Sequence, residues 1–157
     1  MLEYKKSLLK SKRHWLFELT EDYNFSDYSF RTNIANKLTK DLEFRDYGKL
    51  RLVIEKDGTI IVKKGYAWDG CSPKLSILDL FWIGTPDGAL KEGKPITYYA
   101  SLIHDALGQF SDCLEMPFNR QQRDLIFQEM LEQKDFRLSW LYYRAVVFFG
   151  PLYSLLT

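Results

Sequence analysis

The chain reads as an α+β protein, with an N-terminal half rich in β-hairpins feeding a C-terminal bundle of about three helices. Three observations give that reading. Two apolar, β-branched runs, residues 50–55 and 59–63, flank the turn Lys56-Asp57-Gly58. A stretch with three glycines and two prolines, residues 84–95, punctuates the middle of the chain. From residue 96 onward the apolar side chains recur at helical rather than alternating spacing.

The elements follow in order. Residues 1–12 form a basic arm whose charge, with Arg13, comes from Lys5, Lys6, Lys10 and Lys12. Residues 13–157 make one α+β domain, mainly strands over 13–70 and mainly helices over 95–157. Aromatic and alternating character predicts short strands at 14–19 and 28–31, separated by a polar turn over 20–27. The hairpin at 50–63 is the clearest local signal, because Asp-Gly supplies the positive φ values that a tight turn demands. A third strand over 65–68 runs into the Asp69-Gly70 turn; residues 74–82 are mixed apolar, and 84–95 is a loop.

In the helical half, Ile96, Tyr99, Ile103, Ala106 and Phe110 fall at helical spacings, and Leu102 and Leu107 widen the stripe, so this helix is buried over much of its circumference. Asn119 followed by Gln122 resembles a capping box and opens a helix to about residue 133, with Ile126, Phe127, Met130 and Leu131 inward. A third helix over 136–149 stops at Gly150-Pro151. Residues 138–157 are apolar, but Arg144, Gly150 and Pro151 interrupt them, so a packed helix is expected there rather than a transmembrane segment.

Composition narrows the function. The 157 residues are 46% apolar and 16% aromatic, ample for a core, and 22 basic against 21 acidic side chains carry no strong nucleic-acid signal. Cys71 and Cys113 make neither a disulfide framework nor a zinc motif. No secretory signal peptide is visible, since Leu8-Leu9 is hemmed in by lysines; the cytoplasm of a host cell is the expected location. With only His14 and His104 in the chain, histidine-rich zinc sites and metal-dependent phosphohydrolases that need several histidines are excluded.

The candidate site gathers around His104-Asp105, two titratable side chains inside an apolar helix. Neighbours on a helix point about 100° apart, so the two can serve different partners. A short connection favours antiparallel packing of the next helix, which would carry the Asp124 carboxylate toward the imidazole. A carboxylate on one ring nitrogen fixes the tautomer and leaves the other as a base near neutral pH, the water-activating half of an ester hydrolase. Asp105 and Asp69, with carbonyls of the Asp69-Gly70 turn, are hard oxygen donors of the kind calcium takes.

Asp69-Gly70-Cys71-Ser72, then His104-Asp105, then an aspartate 20 positions after the histidine, resemble the catalytic core of small bacterial and fungal phospholipase A2 enzymes. That resemblance implies His104 as general base, Asp124 as its orienting partner, and Asp69, the Gly70 carbonyl and Asp105 as calcium ligands. A wider pattern runs from Tyr66-Ala67-Trp68-Asp69-Gly70-Cys71-Ser72-Pro73 through His104-Asp105-x-Leu107 and Arg120-x-x-x-Asp124-x-x-Phe127 to a terminal aromatic helix ending in Phe149-Gly150. It is similar to an uncharacterised family of small phage and bacterial proteins known only as a domain of unknown function, and gives Arg120 and Ser72 supporting places. Gly108 departs from both patterns, which usually carry tyrosine there, and the disulfides of secreted phospholipases have no counterpart.

Two functions are therefore expected. One is a phage-encoded or bacterial hydrolase, calcium-assisted, acting on a lipid or other ester. The alternative is a non-catalytic virion component, a tail, head-completion or capsid-associated protein, in which the same residues pin segments together; a weaker third reading is an intracellular binder of a host factor. Virion proteins or a lipid surface are the implied partners; aromatic residues such as Trp140, Tyr142 and Phe148 are read as core and helix packing, although an exposed aromatic edge on the last helix would suit either partner.

Overall fold

A computed structural model describes residues 17–68, 75–77, 81–83, 90–91, 94–95 and 97–134, with side chains over 17–68 and 97–134. The α+β expectation holds: strands fill the N-terminal half, and the two longer helices come after them. The basic arm over 1–12 and the terminal helix over 136–149 lie outside the described residues. The chain divides into two compact units, residues 1–68 with 105–119 and residues 69–104 with 120–157.

The first unit is built on a four-stranded antiparallel sheet of β2 (Tyr23–Phe25), β3 (Leu42–Asp46), β4 (Lys49–Ile54) and β5 (Ile60–Val62), in the order β2-β5-β4-β3. Strand side chains alternate between faces, and here the register lines the apolar ones into rows. Leu42, Ile54, Ile60 and Phe25 stand opposite one another across the four strands, and Phe44, Leu52 and Val62 form the next row. All seven are buried. A bulge between Phe44 and Arg45 shifts the register near the turn end of the β3–β4 ladder. A separate two-stranded ladder joins β1 (Phe17–Glu18) to β6 (Ala67–Trp68), with the Phe17 and Trp68 rings 5.4 Å apart.

Two hairpin turns use different chemistry. Between β3 and β4, Tyr47 and Gly48 both take positive φ, +48° and +77°, in a two-residue loop whose twist matches that of the strands. Between β4 and β5, only Gly58 does so, at φ +87°, and Glu55 pairs with Thr59 around a three-residue loop. Asp57 works through its side chain instead: Oδ1 accepts the Thr59 N–H at 2.8 Å. Hydrogen bonds from Thr59, with Arg31 adding its charge, hold that carboxyl below the usual carboxylate range.

Several sequence expectations change. Residues 28–31 are not a strand; Ser29 and Phe30 form a turn, and Arg31 opens the short helix α1 (Arg31–Ala35). The alternation of Tyr28 and Phe30 reflects aromatic packing instead, since both rings meet Phe118, at 5.9 and 6.3 Å. The polar turn expected over 20–27 contains strand β2, recruited by pairing with β5, and β3 had no expected counterpart. Tertiary pairing decides both.

This aromatic corner locks the β4–β5 turn. Tyr28 donates its hydroxyl to the Gly58 carbonyl at 2.6 Å, and burial pushes its phenol well up. Arg31 donates Nε to the Asp57 carbonyl at 3.0 Å and pairs with the Asp57 carboxylate at 2.6 Å. At the other end of β5, Asp22 accepts from the Lys63 ammonium and from the Lys64 N–H.

In the second unit, β7 (Leu75–Ile77) pairs with β8 (Phe81–Ile83), and β9 (Leu90–Lys91) with β10 (Lys94–Pro95), both antiparallel. The stretch expected to be a plain loop over 84–95 thus contains a short ladder, with Pro95 at its end. Helices α2 (Tyr98–Gln109) and α3 (Arg120–Glu132) match the expected spans to within a few residues. Residues of α2 through His104 belong to the second unit and those from Asp105 to the first.

A methyl group on Gly58 would lie 3.0 Å from Arg31 Cγ and from the Tyr28 hydroxyl, at a φ that L-residues rarely adopt. Gly58→Ala should therefore destabilise the protein by about 1–3 kcal/mol in urea denaturation. An unchanged midpoint would show that the turn can relax away from both side chains.

Candidate functional site

Helix α2 starts where Ser101 donates its N–H to the Thr97 carbonyl at 2.8 Å, and the Ser101 hydroxyl donates to Tyr98 O at 3.0 Å. Its apolar positions Ala100, Leu102, Ile103, Ala106 and Leu107 are buried, whereas His104 and Asp105 keep partial exposure. The wide apolar stripe read from the sequence therefore leaves a narrow polar strip containing the dyad.

Helix α3 supplies the partner. Asp124, Ile126, Phe127, Met130 and Leu131 are its buried residues, so the inner face carries one carboxylate among apolar side chains. His104 Nε2 lies 3.0 Å from Asp124 Oδ1, with the imidazole side chain 24% exposed and the carboxylate 6%. An ionised carboxylate only accepts, so the ring proton belongs on Nε2. The Phe127 ring stands edge-on to the imidazole, 5.5 Å away at 62°. Phe127 is one helical turn from Asp124, so the carboxylate fixes the tautomer while the aromatic ring fixes the tilt.

Arg120, one turn before Asp124, places Nε 3.7 Å from Asp124 Oδ2 and is 44% exposed. The sequence allowed these two residues to be an ordinary surface ion pair. Only one partner is at the surface: Asp124 is buried and faces His104 and Arg120 through different oxygens.

Asp105, the next residue on α2, is partly exposed. Burial pushes the Tyr66 phenol well up, and the negative charges of Asp105 and Asp46 push further in that direction against Arg51. His104 is thus held by Asp124, while the negative charge of Asp105 is felt at the Tyr66 phenol. Among the described residues no three His, Cys, Asp or Glu side chains gather as a cation site. Asp105 is a partly exposed oxygen donor of a type calcium accepts. The other expected ligands, Asp69 and the Gly70 carbonyl, lie outside the described residues, as does Ser72.

The geometry brings together His104, Asp124 and Arg120, three of the residues singled out from the sequence. Phe127 was expected on the inner face of the helix and in the wider pattern, with no role toward the imidazole; its spacing of three from Asp124 was the available signal for that contact. Tyr66 opens the wider pattern read from the sequence, but nothing local connects it to Asp105. Gly108, where the resembled patterns carry tyrosine, would present a Cβ to open space. Among the described residues no helix is long and apolar enough to cross a membrane. No protein-family model matches this chain, and neither a curated protein nor a solved structure matches it.

Two outcomes follow. At pH 8, long-range nitrogen–proton NMR spectra of the imidazole should show the Nε2–H tautomer of His104; the opposite tautomer would mean that Asp124 does not orient the ring. Gly108→Ala should raise stability by about 0.5–1 kcal/mol in chemical denaturation, since glycine inside a helix costs that much and nothing here opposes a methyl group. A loss of stability would reveal a close neighbour of Gly108.

Proposed function

We propose that the chain is an ester hydrolase in which His104 is the general base and Asp124 orients it. One observation carries this reading: a partly exposed imidazole is held at 3.0 Å through Nε2 by a nearly buried carboxylate. On this reading the base is Nδ1. Nδ1 takes a proton from water as the water oxygen bonds to the ester carbonyl carbon. The collapsing adduct then breaks the bond to the alcohol oxygen, which leaves with the proton that His104 returns.

Calcium, if held by Asp69, the Gly70 carbonyl and Asp105, would polarise the ester carbonyl. The resemblance to phospholipase A2 cores supports a lipid ester, and the wider resemblance supports a phage or prophage setting. The competing reading is a virion component in which the His104–Asp124 pair serves only to join α2 to α3. Stoichiometric purification with phage particles, together with full function of His104→Ala, would favour it.

Hydrolysis of a chromogenic ester should fall about 10²–10⁴-fold in His104→Ala and substantially in Asp124→Asn, with folding retained in the latter. Calorimetric titration should show calcium binding that Asp69→Asn and Asp105→Asn weaken. Turnover that survives His104→Ala would overturn the catalytic assignment, whereas turnover lost with His104 but indifferent to calcium would remove only the cation from it.

A further inference from the structure

The four-stranded sheet of the first unit ends in two unlike edges. One is β2, three residues long. The other is β3, which runs for five residues as Leu42-Glu43-Phe44-Arg45-Asp46, without proline or lysine, and among the described residues pairs with β4 alone. Proteins ordinarily blunt an edge by shortening it, by bulging it or by placing proline or lysine on it. Here the bulge spares the edge: Phe44 stands opposite Leu52 and Arg45 opposite Leu50, so the extra residue is Arg51, in the inner strand β4.

The register says which backbone groups face outward. Bonds from the Glu55 N–H to the Thr59 carbonyl and from the Lys63 N–H to the Arg51 carbonyl join β4 to β5, so Leu52 and Ile54 aim their backbone groups at β3. Their partners there are Phe44 and Leu42. The N–H and C=O groups of Glu43 and Arg45 therefore point away from the sheet. Both side chains lie on the face opposite to the buried Leu42 and Phe44, and the Arg45 guanidinium donates to the Glu43 carboxylate at 2.8 Å. They keep 36% and 53% exposure.

We propose that this edge is the contact between two copies of the chain, β3 pairing antiparallel with β3 of a second copy about a twofold axis through Phe44. In that register Glu43 of each copy lies opposite Arg45 of the other, in a pair that exchanges both backbone hydrogen bonds. Opposite charges face each other on both sides of the axis, and the two separate ion pairs join into one network. Slipping the strands by two residues sets Glu43 against Glu43 or Arg45 against Arg45, and slipping by one sets exposed residues against buried ones. An edge of one sign would repel a second copy; two signs two residues apart make the strand complementary to itself. The same register brings Tyr47, 71% exposed at the hairpin tip, opposite Asp41 of the second copy. This inference stands apart from the hydrolase reading, since none of its residues belongs to the proposed ester site.

Sedimentation velocity over about 1–500 μM chain should show a monomer passing into a dimer, because one strand pair with few new apolar contacts gives weak association. Glu43→Arg places like charges opposite one another, and so does Arg45→Glu. Each variant alone should associate at least about tenfold more weakly than the wild type. An equimolar mixture of the two should form a mixed dimer at concentrations where neither self-associates, since a strand of one sign then meets a strand of the other. The double variant Glu43→Arg/Arg45→Glu should recover self-association.

Thermal melts establish that the variants fold, and hydrogen exchange gives a readout that needs no variant. The Glu43 and Arg45 amides of the wild type should exchange freely in dilute solution and become protected as concentration rises, whereas the Phe44 amide is protected throughout. A chain that stays monomeric over the whole range, a dimer that both single variants form as readily as the wild type, or edge amides indifferent to concentration would each overturn the proposal.

Discussion

A carboxylate withdrawn from water must be answered by donors, and the second unit is organised by the way Asp124 is answered. Left alone at 6% exposure it would cost several kcal/mol; with His104 Nε2 at 3.0 Å and the Arg120 guanidinium on its other oxygen, that cost is offset. The requirement fixes more than one contact. Turning α3 by a single residue would present Arg123 or Leu125 to the imidazole, and would carry Phe127 away from the ring it now meets at 5.5 Å. The buried carboxylate therefore sets the face of α3, the tautomer of His104 and the direction of Arg120 together.

The first unit meets a different constraint. Its sheet buries two cross-strand rows of apolar side chains, and since a one-residue slip would turn every one of them outward, the turns must hold the register. At the β3–β4 turn this is achieved with a strained residue, Tyr47 at φ +48° and 71% exposed, where asparagine or glycine would sit more easily. At the β4–β5 turn the positive φ falls on Gly58, which adopts it without strain, and Tyr28 and Arg31 close over it with hydrogen bonds to the turn backbone. The aromatic cluster of Tyr28, Phe30 and Phe118 holds those two residues in place.

The proposed chemistry uses the polar strip that the packing of α2 leaves over. His104 and Asp105 are adjacent in sequence yet belong to different surroundings, one facing a carboxylate and an aromatic ring, the other influencing Tyr66. Such a split suits a site where the proton is handled on one side of a helix and charge is placed on another.

Much of this was legible in the chain. The α+β division, the 50–63 hairpin, the spans of α2 and α3, and the polar strip on α2 follow from periodicity and turn chemistry, which act over a few residues and are written where they act. The spacing of His104 and Asp124 on consecutive helices also pointed to their meeting. What the sequence could not settle were contacts whose partner lies far along the chain. Strand β2 exists because β5 offers it a ladder, and residues 28–31 leave the extended form because Tyr28 and Arg31 bond to a turn more than twenty positions away. The burial of Asp124, which separates an ordinary surface ion pair from an oriented imidazole, was likewise decided by tertiary packing: Arg120 and Asp124 have the same spacing in either case, and only the withdrawal of water from one of them changes what the pair can do.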